Sequence, residues 1–122
     1  MDSSMLQKKA EMFLNLDVYP LLKNFPQAEK FSLCQDMKQA CYRLIRAAVM
    51  ANNLRSSAKR RLEWLENADA EKSLILVLIG TARTQKYITK QKALELQAKA
   101  EELGRIIGGL QKYLLGIPRQ HQ

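Results

Sequence analysis

A chain of 122 residues with 47% apolar content is long enough to close one hydrophobic core and too short for two. Lys and Arg number 20 against 12 Asp and Glu, a net charge of +8, which favours polyanionic partners such as nucleic acid or an anionic membrane surface. The longest apolar run, Leu74 to Ile79, falls far below the roughly 18 residues that span a bilayer, and the first residues lack the apolar core of a signal peptide, so a soluble cytoplasmic protein without a membrane partner is expected.

No stretch alternates convincingly with period two, while four stretches repeat every three to four residues, so the fold class is all-α. The first helix is expected over roughly Ser4 to Asn24, with Met12, Leu16, Tyr19 and Leu22 as its stripe and Pro20 kinking it or shortening its first part. Asn-Phe-Pro-Gln, residues 24–27, breaks it. The second helix, about Gln27 to Asn53, turns Phe31, Cys34, Cys41, Leu44, Ile45 and Ala48 inward and leaves Gln35, Gln39, Arg43 and Arg46 mostly outward. Cys34 and Cys41 are two turns apart on one face and read as reduced core residues.

A third helix is expected to start at Ser56 or Ser57, both good N-caps, and to run to about Lys86. Thr89 then caps a fourth that ends near Leu115 and carries the clearest seam, Leu96, Ala100, Leu103, Ile107, Leu110 and Leu114. Long helices joined by short links pack back antiparallel, which predicts an up-down-up-down four-helix bundle over residues 1–115 and a short disordered tail over 116–122.

Two features of this bundle point outside a single chain. Leu74 to Ile79 are consecutive and so face all round the third helix, whereas a bundle helix in a monomer needs one apolar face. Either its own bundle buries the segment on all sides, which is hard for a helix left half exposed, or a neighbouring subunit covers its outer face, and Ile75, Leu76 and Ile79 are assigned to this oligomer or packing contact. Gly104 and Gly108 lie side by side on the fourth helix, where each costs about 1 kcal/mol relative to alanine. Their bareness fits a close backbone approach, inside the bundle or between subunits, while the neighbouring Arg105, Glu101, Glu102 and Lys112 exclude a membrane helix pair. A homo-oligomer is the expectation.

Catalytic constellations are missing. The single histidine, His121, is second from last, and there is no Glu-x-x-His pair, no Cys-x-x-Cys and no glycine-rich phosphate loop after a strand, so neither enzyme activity nor a metal or other cofactor is expected. Carboxylates such as Glu95 and Glu101 precede Lys99 and Arg105 by four residues and read as surface pairs.

Positive charge remains. Lys59, Arg60 and Arg61 open the third helix, Arg43 and Arg46 lie on the outer part of the second, and Arg83 and Lys86, with Lys90 and Lys92, gather round the last connection. Repeated by symmetry in an oligomer, such clusters make a strong field for phosphates. Few aromatics, with only Tyr42 amid the basic residues of the second helix, argue for salt-dependent, weakly sequence-specific binding of RNA or DNA without base stacking.

Tyr-Pro-Leu-Leu-Lys-Asn-Phe-Pro, residues 19–26, and Ala-Glu-Glu-Leu-Gly-Arg-Ile-Ile-Gly-Gly-Leu, residues 100–110, carry a resemblance. Over about Leu16 to Leu114 the chain resembles the accessory variability determinant (Avd) proteins of diversity-generating retroelements, and also the related four-helix-bundle proteins encoded in intervening sequences of large ribosomal RNA genes. The resemblance implies a pentameric ring of four-helix bundles with a basic surface, which in the retroelement branch binds reverse transcriptase and template RNA or DNA and supports error-prone cDNA synthesis. Gly104, Arg105 and Gly108 carry over by the motif as packing positions. The intervening-sequence branch would instead imply a structural or interaction protein with no polymerase partner, and the charge of +8 leans toward the retroelement.

Overall fold

In a computed structural model, residues 4–54 and 56–116 are described, and all their regular structure is helical. The expected tail beyond Gly116, with His121, lies outside the described residues.

The first rod is built from α1 (Ser4–Met12), a π-helical turn (Phe13–Val18) and α2 (Tyr19–Leu22), running on end to end. In the π turn the Tyr19 N–H reaches back five residues to the Leu14 carbonyl, and Pro20, which has no N–H to give, sits in the first turn of α2 where none is needed. The irregularity expected from Pro20 therefore takes the form of a widened turn. The inward stripe differs from the expected one: Leu6, Ala10, Phe13, Leu14, Val18, Leu21 and Leu22 enter the core, Tyr19 packs against it, and Met12 and Leu16 face out, Leu16 at 65% exposure. This rod is apolar on two sides, and periodicity alone fits either.

A short 3-10 turn (Gln27–Glu29) then separates the first rod from α3 (Leu33–Asn53), which starts at Leu33 rather than near Gln27 as the sequence suggested. Phe31 falls in that link and is 83% exposed rather than inward; Phe25 takes the core position instead, its ring 5.4 Å from that of Tyr87. Glu29 ties the link before α3 to the turn around Tyr87, accepting hydrogen bonds from the Tyr87 hydroxyl at 2.7 Å and the Ser32 hydroxyl at 2.5 Å. The Ser32 bond, then the Tyr87 bond, hold the Glu29 carboxyl below its usual range, and the same contact pushes the Tyr87 hydroxyl up.

Helix α4 (Ala58–Thr84) starts where Ser57 caps it, its hydroxyl accepting the Arg60 N–H at 3.3 Å, and α5 (Lys90–Leu114) starts on Thr89, which accepts the Lys92 N–H at 3.0 Å. Between them Lys86 adopts φ 66°, with its N–H on the Arg83 carbonyl and the Tyr87 N–H on that of Ala82, closing α4 in a Schellman pattern with lysine at the position glycine usually fills.

Helix α4 packs on α3 and α5, and α1 packs on the same two, so α1 and α4 occupy diagonal corners. The α5 seam is buried as expected from Leu96 through Leu110, with Leu114 half-buried, and each fully buried leucine contributes about 1.5–3 kcal/mol. Cys34 and Cys41 are free and buried, and burial pushes the Cys41 thiol up to about 12. Among the described residues no helix is long and apolar enough to cross a membrane.

The Leu74 to Ile79 run divides. Ile75 and Ile79 fill the chain's own core and are not outer-face residues, Leu76 and Leu78 pack against that core, and Leu74 (36% exposed) and Val77 (63%) remain outside. At Gly104 a methyl group would stand 3.2 Å from Cε of Lys72, whose aliphatic arm crosses the bare position, so the close partner within the chain is a side chain rather than a backbone. At Gly108 a methyl group would meet nothing within 4 Å among the described residues.

Candidate nucleic-acid interface

Two of the three basic clusters converge on the α3–α4 side. Arg46 of α3 lays its guanidinium 5.1 Å from the ring centre of Trp64 on α4, and Arg60 stands one turn before Trp64 on the same face of α4, next to the exposed Lys59. Further along the same seam Arg43 donates to Glu71 at 2.9 Å. Glu71 is left with its second oxygen, Oε1, buried and without a hydrogen-bond partner, so Arg43 is the group that makes this carboxylate tolerable and is less available to phosphate than its exposure suggests.

Arg61, expected to contact nucleic acid, does not belong to the surface. It is 9% exposed and donates Nε–H to the Ala51 carbonyl at 2.9 Å. That carbonyl lies in the last turn of α3, where the final four acceptors have no partner in the helix, so Arg61 acts as a cationic C-terminal cap and favours the negative end of the α3 dipole.

The third cluster is separate. Arg83 and Lys86 are exposed at the far end of α4, about 35 Å along the helix from Arg60 at 1.5 Å per residue. No carboxylate pairs with either among the described residues, in contrast to Lys92, which approaches Glu95 at 3.7 Å. Lys99 leaves its expected partner Glu95 and bonds Asp17 of the first rod at 2.6 Å, and Lys9 meets Glu102 at 3.5 Å, so both stitch the first rod to α5. Arg105 is exposed on α5 between the two glycines.

Aromatic groups contribute more than the sequence indicated. Trp64 supplies a platform for Arg46, and the Tyr42 and Tyr19 hydroxyls hydrogen-bond across α3 and the first rod, which holds the Tyr42 hydroxyl protonated to a higher pH than usual. Trp64 and Glu71 escaped the sequence reading because their partners lie 18 and 28 positions away, and no local pattern links them. Among the described residues no group of His, Cys, Asp or Glu is placed to hold a metal ion.

No curated protein and no solved structure matches the chain. The bAvd-like family model matches residues 4–114, from the start of α1 to the last residue of α5, and by that match the chain belongs to the bAvd-like family.

Proposed function

We propose that this protein is a noncatalytic cytoplasmic accessory factor of a diversity-generating retroelement: a pentameric ring of up-down-up-down bundles whose basic surfaces hold template RNA or DNA and reverse transcriptase together. The observation that carries the reading is family membership over residues 4–114, joined to the separation of partnered from unpartnered cations on the surface. Arg46, Lys59, Arg60, Arg83 and Lys86 are the groups that meet phosphates; Arg61 supports them from inside. Contacts of this kind act through charge, so affinity falls steeply with salt and depends little on base sequence.

Ring closure is supported by two uncovered apolar surfaces at opposite corners. Met5, Met12 and Leu16 line one side of the first rod, and Leu74 and Val77 lie on α4. A head-to-tail contact uses two different surfaces of each subunit, and it closes into a ring when the rotation between neighbours divides the circle. In up-down-up-down order, Arg43 with Glu71 and Arg61 with Ala51 set the antiparallel register of α3 on α4.

The test combines light scattering of the purified protein, a salt titration with RNA and co-purification with the reverse transcriptase. Five subunits, a steep loss of affinity with salt and retention of the polymerase are expected; a protein that neither shifts RNA or DNA at low salt nor retains the polymerase overturns the reading. Leu16→Glu and Val77→Glu are each expected to give monomers, while an equimolar mixture gives a heterodimer, because each variant keeps one intact face.

A further inference from the structure

A second basic feature, lined by none of the cations of the clusters above, lies in the elbow where the first rod turns into α3. An open cleft of about 330 Å³ is formed there, with Lys23 and Lys30 entering from the link and Lys38 from the second turn of α3, against a wall that includes Tyr19 and Pro26. From the cation placement we infer that this cleft binds a triphosphate group. The proposal goes beyond the accessory role above and stands or falls separately from it.

Three observations carry it. First, no carboxylate lines the cleft among the described residues, and none pairs with Lys23, Lys30 or Lys38, whereas Lys9, Lys72, Lys92, Lys99 and Arg43 each have a carboxylate between 2.6 and 3.7 Å away. The ammonium of Lys38 instead lies 4.9 Å from the centre of the Tyr19 ring and that of Lys30 lies 5.4 Å from that of Phe31. Such exposed cation–π contacts are weak and are readily exchanged for phosphate oxygens. Like charges gathered on one hollow repel each other until an anion enters.

Second, the one acidic residue of the link is occupied elsewhere. Glu29 accepts from Ser32, Tyr87 and the Leu33 N–H, and it does not line the cleft. Third, the frame is fixed before any ligand arrives. Phe25 is anchored on Tyr87, and the link is held by hydrogen bonds from the Asn24, Phe25, Glu29 and Lys30 N–H groups to the carbonyls of Leu21, Leu22, Pro26 and Gln27. Lysine stems rising from a rigid elbow present point charges that adapt to a flexible chain of phosphates. The volume is at the small end for a ligand cleft, which suits a phosphate chain.

Triphosphate chemistry reaches such a cleft either as a free nucleoside triphosphate or as the 5′ end of an unprocessed RNA strand, and the test separates the two. Calorimetry on the full chain at low salt uses inorganic tripolyphosphate, ATP and adenosine, and filter binding compares one short RNA carrying a 5′-triphosphate or a 5′-hydroxyl. Tripolyphosphate and ATP are expected to bind and adenosine not, and Lys23→Gln, Lys30→Gln and Lys38→Gln together should weaken tripolyphosphate at least about tenfold. Arg83→Gln with Lys86→Gln, which leaves the cleft intact, should not. Preference for the 5′-triphosphate RNA that disappears in the triple variant assigns the strand end; ATP binding tighter than tripolyphosphate without any end preference assigns the free nucleotide. The inference is overturned if tripolyphosphate, ATP and the 5′-triphosphate all go unrecognised, or if the triple variant, shown folded by circular dichroism, binds them as before. RNA binding with no recognition of tripolyphosphate, ATP or the 5′-triphosphate sinks this inference and spares the accessory role; triphosphate binding without RNA binding does the reverse.

Discussion

The two ends of α4 carry similar basic residues and use them in opposite ways. At its start Arg61 turns inward and completes the last turn of α3 through the Ala51 carbonyl. At its end Arg83 and Lys86 stand exposed with no carboxylate partner among the described residues, and Lys86 holds a left-handed backbone conformation although it is not glycine. Net charge is therefore a poor guide to available charge: one arginine of the Lys59 to Arg61 run holds the fold together, and the turn cations do not. A cation placed where glycine would be less strained is consistent with a role for its charge.

This contrast can be broken experimentally. The largest effect is expected at Arg61→Ala, which leaves a buried carbonyl without its donor and opens space beside α3; a loss of about 2–3 kcal/mol should be read as a lower urea midpoint. RNA affinity measured under folding conditions should hardly move. An equal loss of stability from Arg83→Ala would abolish the distinction between the ends.

A pH series sharpens the stability side. The Cys41 thiol ionises near 9 in the unfolded chain and is pushed up to about 12 by burial in the folded one. The unfolded state thus loses its proton first, so this contribution is fully present below pH 9 and is lost as pH rises toward 12, at no more than about 1.4 kcal/mol per pH unit. Urea midpoints at pH 8 and 10, compared with those of Cys41→Ala, should isolate the slope. It should be the same in variants of either end of α4.

Smaller again, Lys86→Gly should stabilise the fold by about 1 kcal/mol by relieving the left-handed backbone, and the same change should weaken RNA binding if the Lys86 charge is used. Arg83→Gln with Lys86→Gln should leave the melting temperature unchanged and reduce the salt slope for single-stranded RNA by roughly 1.4, about 0.7 for each lost phosphate contact. A slope that stays the same would remove the α4 end from the interface.

What could be read in the sequence follows from how far each determinant reaches. The caps at Ser57 and Thr89 act on an N–H three residues away, and both helix starts were legible. The α5 seam was also legible, because its 4-3-4-3 spacing admits a single buried face. The first rod was not, since Met12 and Leu16 compete with Phe13, Leu14 and Val18 for the same core and only packing against α3 and α5 chooses between them. Phe31 was misplaced because a 3-10 turn is invisible to periodicity, and Arg61 because its carbonyl partner belongs to another helix. The triphosphate cleft assembles lysines from the link and from α3, and no motif announces it.

Gly108 carries one more implication. Among the described residues of its own subunit nothing would lie within 4 Å of a methyl group there, so alanine should make a lone chain sturdier by about 1 kcal/mol. A methyl group can thus serve as a feeler gauge for assembly: inserted at Gly108, it should be welcome in isolated chains and unwelcome wherever another molecule's main chain rests against that helix.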